Sequence, residues 1–232
     1  MARKIIGILG GMGPEATSDL FRRIIRATPA ERDQDHIRVI IDSNTSIPDR
    51  TGAIMGGGPS PLPEMMETGK NLERAGADLI IMPCNTAHYF YRELQGGLGV
   101  PLLDMIGLTA RRIRDGLPDV RRVGLIATTG TLRTGIYERA LEPSGVEVIA
   151  PSAEDQERVM EAIYDDIKTG KIAEGKEIVA EVAAHLVEKG AEAVICGCTE
   201  ISLVLEDGDL PVPVVDPLQV LAEAAVAEAS GR

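Results

Sequence analysis

Aromatic residues are nearly missing from this chain. Two Phe, four Tyr and no Trp make up 3% of 232 residues, so Val, Ile, Leu and Ala must fill the core. Cysteine is scarce as well. Three residues make no disulfide framework, and their places at the ends of apolar runs point to a reducing compartment. Positive charge falls short, with 24 Lys and Arg against 36 Asp and Glu and a formal net charge of −12. That balance disfavours nucleic acid or an anionic membrane as a partner. An acidic ligand would have to be drawn by a few local cations against the field of the whole chain. No apolar run approaches the ~20 residues of a membrane span. The opening Ile5-Ile6-Gly7-Ile8-Leu9-Gly10 is faintly like a signal peptide, but it is short and runs straight into Gly11-Met12-Gly13-Pro14-Glu15, so it reads as a first strand. The expectation is a soluble, cytoplasmic protein.

What is present is one pattern used twice. Gly76-Ala77-Asp78-Leu79-Ile80-Ile81-Met82-Pro83-Cys84-Asn85-Thr86 is echoed by Gly190-Ala191-Glu192-Ala193-Val194-Ile195-Cys196-Gly197-Cys198-Thr199-Glu200. Each has a Gly-Ala-acidic turn, a short apolar run and a cysteine eight residues after the glycine. Such a run reads as a buried parallel strand, whose carboxyl end is where open α/β sheets place ligands.

Taken in order, Lys4 to Leu9 reads as a strand and Pro14 opens a helix to about Ala27. Arg38 to Ile41 is a strand, followed by a polar loop with Arg50. Gly56 to Pro63 has almost no regular propensity and reads as a mobile lid. A helix over 64–75 leads to the first cysteine strand, and Val100 to Asp104 is a short strand. The second half repeats the plan. Arg122 to Ala127 is a strand, Leu132 to Leu141 a helix and Val146 to Ile149 a strand. Helices cover 154–168 and 171–189, and Val212 to Asp216 echoes Val100 to Asp104. Gly7, Cys84 and Asp104 are 77 and 20 residues apart; Gly124, Cys198 and Asp216 are 74 and 18 apart. This register implies duplication. Alternating strands and helices predict parallel sheets with right-handed crossovers. The fold class is α/β: two similar, pseudo-twofold-related domains, each a mostly parallel sheet flanked by helices, with the active site in the cleft between them. The expected boundaries are 1–107 plus 217–232 for the domain carrying Cys84 and 108–216 for the domain carrying Cys198.

A lone buried cysteine is usually a small hydrophobe. Two at equivalent places, each expected where a strand meets a helix start, read instead as reactive thiols whose thiolate the helix dipole favours. Two opposed thiols suit removing a proton from one face of a carbon and delivering one to the other. Cys196-Gly197-Cys198 raises a zinc site, but no second pair supplies four ligands. Met82 stands where the first half would need the equivalent of Cys196, which therefore reads as core. Gly11-Met12-Gly13-Pro14-Glu15-Ala16 fits a dinucleotide fingerprint, yet the next strand-end acid, Asp42, lies too far on, so no nucleotide cofactor is expected. Tyr164 and Lys168 share a helix face at four residues' separation. His36, His88 and His185 form no spacing motif; His88 reads as second-layer support for Cys84, or equally as core or surface.

Pro83-Cys84-Asn85-Thr86-Ala87-His88 and Gly197-Cys198-Thr199-Glu200 resemble the aspartate/glutamate racemase superfamily, and Gly10-Gly11-Met12-Gly13-Pro14-Glu15-Ala16-Thr17 resembles its aspartate racemase branch. The resemblance spans essentially the whole chain. It implies racemisation of a small acidic amino acid without pyridoxal phosphate or metal, often in a homodimer, with Cys84 and Cys198 as the two catalytic bases. It implies a substrate-carboxylate role for Arg50, and substrate contacts for Tyr164 and Lys168. Asn85, Thr86, Thr128 and Thr199 would line the site, as would Met12 in the glycine turn. Glu200 would receive the substrate ammonium or orient Cys198. The chain departs from the glutamate racemase branch, with Gly10-Gly11-Met12 in place of Asp-Ser-Gly and Glu200 in place of a histidine. A broad-specificity racemase or related isomerase shares the motifs. A two-lobed binding protein without chemistry is the remaining rival, and the paired thiols count against it.

Overall fold

The computed structural model describes residues 3–231. In chain order its elements are β1 (Ile6–Gly10), α1 (Pro14–Ala27), β2 (Val39–Ser43), α2 (Arg50–Ile54), α3 (Leu62–Arg74), β3 (Leu79–Ile81) and α4 (Tyr91–Gly97). There follow α5 (Met105–Gly116), β4 (Arg122–Ile126), α6 (Thr129–Thr134), α7 (Ile136–Leu141), β5 (Glu147–Ile149), α8 (Ala153–Glu161), α9 (Ile172–Glu188), β6 (Ala193–Cys196), β7 (Val214–Val215) and α10 (Pro217–Ser230). The chain divides into two units. One holds the residues up to Met105 and those from Leu218 onward; the other is Ile106–Pro217.

The first unit's sheet has the order β2-β1-β3, all parallel, with Ile6 opposite both Val39 and Leu79. The expected strand at Val100–Asp104 is reduced to a single bridge, Ile80 to Leu102. Pro101 has no N–H to donate, and the carbonyls of Pro101 and Ile80 carry the two bonds that remain. The second unit's sheet has the order β5-β4-β6-β7, again all parallel. Its fourth position is a true strand, Val214–Val215. Buried Ile and Val in the central strands answer the lack of aromatics. The α10 helix is tied to the first unit by Lys4 N–H donating to the Ala229 carbonyl, an ion pair of Lys4 with Glu228, and Arg23 bonding Gln219.

The duplicated signature has the same mechanical job in both units. Gly76 and Gly190 each end a helix at φ +94°, where only glycine escapes a steric penalty. Ala77 and Ala191 then donate back to the carbonyls of Leu72 and Leu186. The acid next in the chain caps the central strand: Asp78 accepts from Ile5 N–H at 2.7 Å, and Glu192 accepts from Arg121 and Arg122 N–H. Gly7 and Gly124 make room for this packing. A side chain on Gly7 would lie 2.9 Å from the Ala77 Cβ, and one on Gly124 would lie 3.1 Å from the Leu186 Cβ.

Two expected helices are broken. Gly135, at φ +61°, separates α6 from α7 within the run 132–141, because a left-handed residue cannot continue a helix. The run 154–168 is α-helical only to Glu161; a π-helical turn, Ala162–Asp166, and a 3₁₀ turn, Ile167–Thr169, come next, before Gly170. Such π turns recur at functional sites, and this one carries Tyr164.

Candidate functional site

In each unit the cysteine and one further candidate residue come directly past the carboxyl ends of adjacent parallel strands. In the first, the turn with Met12 comes after β1 and Cys84 after β3. In the second, Thr128 comes after β4 and Cys198 after β6.

Around Cys84 the backbone turns tightly, Cys84 N–H donating to the Met82 carbonyl at 2.9 Å. A 3₁₀ turn, Thr86–Phe90, is next. Cys84, Asn85 and Thr86 are all buried, and Cys84 shares an apolar cluster with Met12, Ile47 and Met82. Expected in a polar loop, Arg50 instead opens α2 and is buried. Asp49 supplies the helix cap by accepting from Gly52 N–H. The guanidinium turns back to donate to the carbonyls of Pro48 at 3.0 Å, Ile47 at 3.3 Å and Met12 at 3.4 Å. Arg50 thus joins its own loop to the glycine turn.

That turn is shaped by contacts inside the protein. A side chain on Gly10 would collide with Thr17, and one on Gly11, at φ +90°, with the backbone of Asn44. Thr17 Oγ accepts from Gly11 N–H and donates to the Gly13 carbonyl. Gly10 and Gly11 therefore serve close packing of the chain on itself.

Around Cys198 the chemistry is denser. Gly197 N–H donates to the Ile126 carbonyl, and a side chain there would lie 2.5 Å from Leu125. Cys198 Sγ donates to Glu200 Oε2 at 2.9 Å, and Thr199 Oγ donates to the same oxygen at 3.3 Å. The other carboxylate oxygen lies 3.9 Å from Lys168 Nζ. That ammonium sits 4.4 Å from the centroid of the Tyr164 ring, within cation–π range. Ala162, Ile163 and Ile167 of the irregular turns pack in one apolar cluster with Cys198, with Tyr164 against it. Thr128 caps α6 by accepting from Thr131 N–H at 3.1 Å. Cys196 is fully buried in β6 with its sulfur 3.9 Å from the Leu205 carbonyl.

The electrostatics correct one expectation. Cys198 does not favour its thiolate. Burial pushes its pKa well above the ordinary thiol value, and the charge and hydrogen bond of Glu200 push the same way, against the pull of Lys168. The chain continues past Cys198 into a short 3₁₀ turn, Ile201–Leu203, so no long helix dipole opposes these effects. Cys198 therefore rests as a thiol on a carboxylate acceptor.

The structure brings Met12 and Arg50 together in the first unit, where Cys84, Asn85 and Thr86 are consecutive. In the second it gathers Cys198, Thr199, Glu200, Lys168 and Tyr164. Sequence reasoning left His88 undecided and gave Ser202 no role. His88 Nδ1 lies 2.8 Å from the Cys84 carbonyl, and Ser202 donates to Asp216 at 2.7 Å. Their shared offset of four from the two cysteines was a signal within the repeat.

The model of the Asp/Glu/Hydantoin racemase family matches residues 9–225. A broad specificity amino-acid racemase of Bacillus subtilis is 26% identical over 230 residues, 96% of each chain. Among solved structures, Picrophilus torridus aspartate racemase superposes with a TM-score of 0.88 at 32% identity, covering 98% of this chain and 94% of that one. An aspartate racemase homologue from Pyrococcus horikoshii gives 0.78 at 28% identity, covering 98% and 99%. Glutamate racemase from Francisella tularensis, at 20% identity and a TM-score of 0.66 over 96% and 79%, shares the fold. With the family's model matched over almost its whole length, on a duplicated parallel α/β fold, this chain belongs to the Asp/Glu/hydantoin racemase family.

Proposed function

We propose that the protein is a cofactor-independent racemase that interconverts L- and D-aspartate, with Cys84 and Cys198 as the two proton-transfer groups. The observation that carries the reading is the buried Cys198 thiol on the Glu200 carboxylate at 2.9 Å. A cysteine that only fills space has no use for a proton acceptor. Family membership and the 32% identity to Picrophilus torridus aspartate racemase support the reaction and the substrate.

In one direction a thiolate takes the α-proton, the C–H bond breaks, and its electron pair moves into the α-carboxylate. The other thiol delivers a proton to the opposite face and becomes the thiolate. Charge and protons balance, and the next turnover in reverse starts from the state left behind. Because the α-proton is very weakly acidic, most of the help must come from placement, for which oriented groups can supply about 7–11 kcal/mol. Asn85, Thr86, Thr128 and Thr199 donate toward the developing charge. Arg50 and Lys168 are the cations that answer the two carboxylates of an acidic amino acid, with Tyr164 alongside. Glu200 takes up the Cys198 proton when that sulfur must act as base. The working form is a homodimer, checked by sedimentation equilibrium.

The test is conversion of L-aspartate to D-aspartate in deuterated water, without pyridoxal phosphate, with deuterium at the α-carbon of the product. Single Cys84→Ala and Cys198→Ala changes abolish racemisation from both enantiomers. A folded single variant that racemises at the wild-type rate would remove that cysteine from the mechanism. The 26% identity to a broad specificity racemase along 96% of the chain favours a second reading, wider substrate range. A panel of amino acids decides it: turnover of aspartate alone supports the first reading, and comparable turnover of neutral or basic amino acids the second.

A further inference from the structure

Outside the groups already assigned roles, a further buried titratable side chain touches the candidate machinery. His88 lies four residues after Cys84 and is buried. Its Nδ1 is 2.8 Å from the Cys84 carbonyl, and its Nε2 is 3.2 Å from the Met105 backbone nitrogen at the start of α5. A backbone N–H only donates, so Nε2 accepts and the ring proton resides on Nδ1, where it donates to Cys84. Tyr91 lies parallel to the ring, with 6.2 Å between centroids. Burial pulls the ring's pKa below the ordinary imidazole value, against the carbonyls of Cys84 and Leu103 and the charge of Asp104, which favour an imidazolium.

The second unit gives an internal comparison. Ser202 is also four residues after its cysteine, and its N–H donates to the Cys198 carbonyl at 3.3 Å. Its hydroxyl bonds Asp216, the counterpart of Asp104, at 2.7 Å. In both halves, then, the residue four places on ties the cysteine's carbonyl to the segment just past the last position of the sheet. In one half a backbone N–H and a hydroxyl make the tie; in the other the imidazole makes both contacts.

We infer that His88 is a positioning residue for Cys84, holding the Cys84 carbonyl through Nδ1–H while Nε2 anchors the ring on the Met105 N–H. The inference rests on the proposed racemase reading, in which the Cys84 sulfur must be aimed at one face of the α-carbon. A displacement of about 1 Å in a proton-transfer group can cost roughly 100-fold in rate. A loss of mere bracing would soften the unit without choosing between enantiomers.

The test separates the two thiols with a reaction that needs only one base. Each enantiomer of 3-chloroaspartate loses its α-proton and then chloride, giving an enamine that hydrolyses to a keto acid. The enantiomer served by Cys84 is the one whose elimination Cys84→Ala abolishes. The expected result for His88→Gln, which retains an acceptor near Nε2 but not the donor at Nδ1, is a kcat reduced roughly 10–100-fold for that enantiomer alone. His88→Asn, whose amide nitrogen sits near Nδ1, restores most of it. Equal losses for both enantiomers, no loss for either, or no rescue by Asn would overturn the inference. If wild-type protein eliminates chloride from neither enantiomer, the racemase reading itself fails first. An independent check needs no variant to fold: ¹⁵N-histidine spectra of the wild type must show His88 protonated at Nδ1 only, and an Nε2–H ring refutes the assignment.

Discussion

Replacing Glu200 with Gln removes a charge and a proton acceptor while keeping shape. The Cys198 sulfur is 2.9 Å from Glu200 Oε2, in a buried place. A hydrogen bond to a charged group contributes about 1.5–3 kcal/mol. At 1.36 kcal/mol per factor of ten, its loss predicts roughly a 10- to 160-fold fall in rate if Glu200 only orients the thiol. If Glu200 also receives the proton, the loss extends to about 10²–10⁴-fold, the usual contribution of a general base. A second effect opposes the first. Glu200 helps hold the thiol pKa up, so the variant forms thiolate at a lower pH than wild type. At neutral pH the lost acceptor wins, because burial, the largest cause of the raised value, remains. The signature is therefore a variant that is slow at neutral pH and recovers as pH rises through its own thiol ionisation. Chloride elimination from the enantiomer served by Cys198 measures the rate, and thiolate ultraviolet absorbance, with Cys198→Ala as blank, measures the ionisation. Faster elimination at neutral pH in Glu200→Gln would refute the reasoning, since Glu200 would then act only by suppressing the thiolate. Linkage adds a stability consequence. A thiol whose pKa is raised in the folded state stabilises the fold fully below the unfolded thiol's pKa, and that contribution is lost as pH rises through the folded value.

Three further outcomes are expected. Arg50→Ala removes three bonds from a buried cation to the carbonyls of Ile47, Pro48 and Met12; at about 1 kcal/mol each this lowers Tm by roughly 6 °C or more, and an unchanged melting curve would show that those contacts carry no stability. Gly11→Ala places a methyl group against the Asn44 backbone at a φ of +90°, and its stability falls by more than the roughly 1 kcal/mol of a left-handed alanine alone, read by chemical denaturation. Of the expected lid, Gly56 to Pro63, the last two residues begin α3; the exposed part from Gly56 to Ser60 is expected to close over bound substrate and slow its amide exchange, so equal exchange with and without a tight ligand argues against a lid.

Much of the scaffold was legible because its signals are local. Pro14 at the first helical position marked the start of α1, which runs to Ala27, about where it was expected to end. The Gly-Ala-acidic turns marked both cysteine strands, since each of those residues has a backbone task. What sequence did not yield depended on contacts made from afar. The run 154–168 has helical propensity throughout, but packing of Ala162, Ile163 and Ile167 against α9 accompanies a π turn. Arg50 was expected in a polar loop, and nothing in its neighbours announces that it opens a helix and that its guanidinium folds back on Met12. The state of Cys198 was misjudged because position at a strand end says nothing about desolvation, which dominates here.

The two halves share a scaffold and differ in the residues set around each sulfur. One and two places after the cysteine stand Asn85 and Thr86 in one half, Thr199 and Glu200 in the other; four places on stand His88 and Ser202. Only Cys198 has a carboxylate on its sulfur among the contacts of the described residues. Such inequality cannot bias the equilibrium. Enantiomers have equal free energy in water, so kcat/KM must be the same from either side. Inequality can appear only where that ratio hides it. The enantiomer bound in the state that the resting protonation favours is held more tightly and turned over more slowly, and its KM and kcat are lower by one common factor. Initial rates from each pure enantiomer measure both constants. Equal kcat and equal KM in the two directions would mean that Glu200 and His88 make the two thiols functionally alike, and the asymmetry argued from their surroundings would have no kinetic consequence.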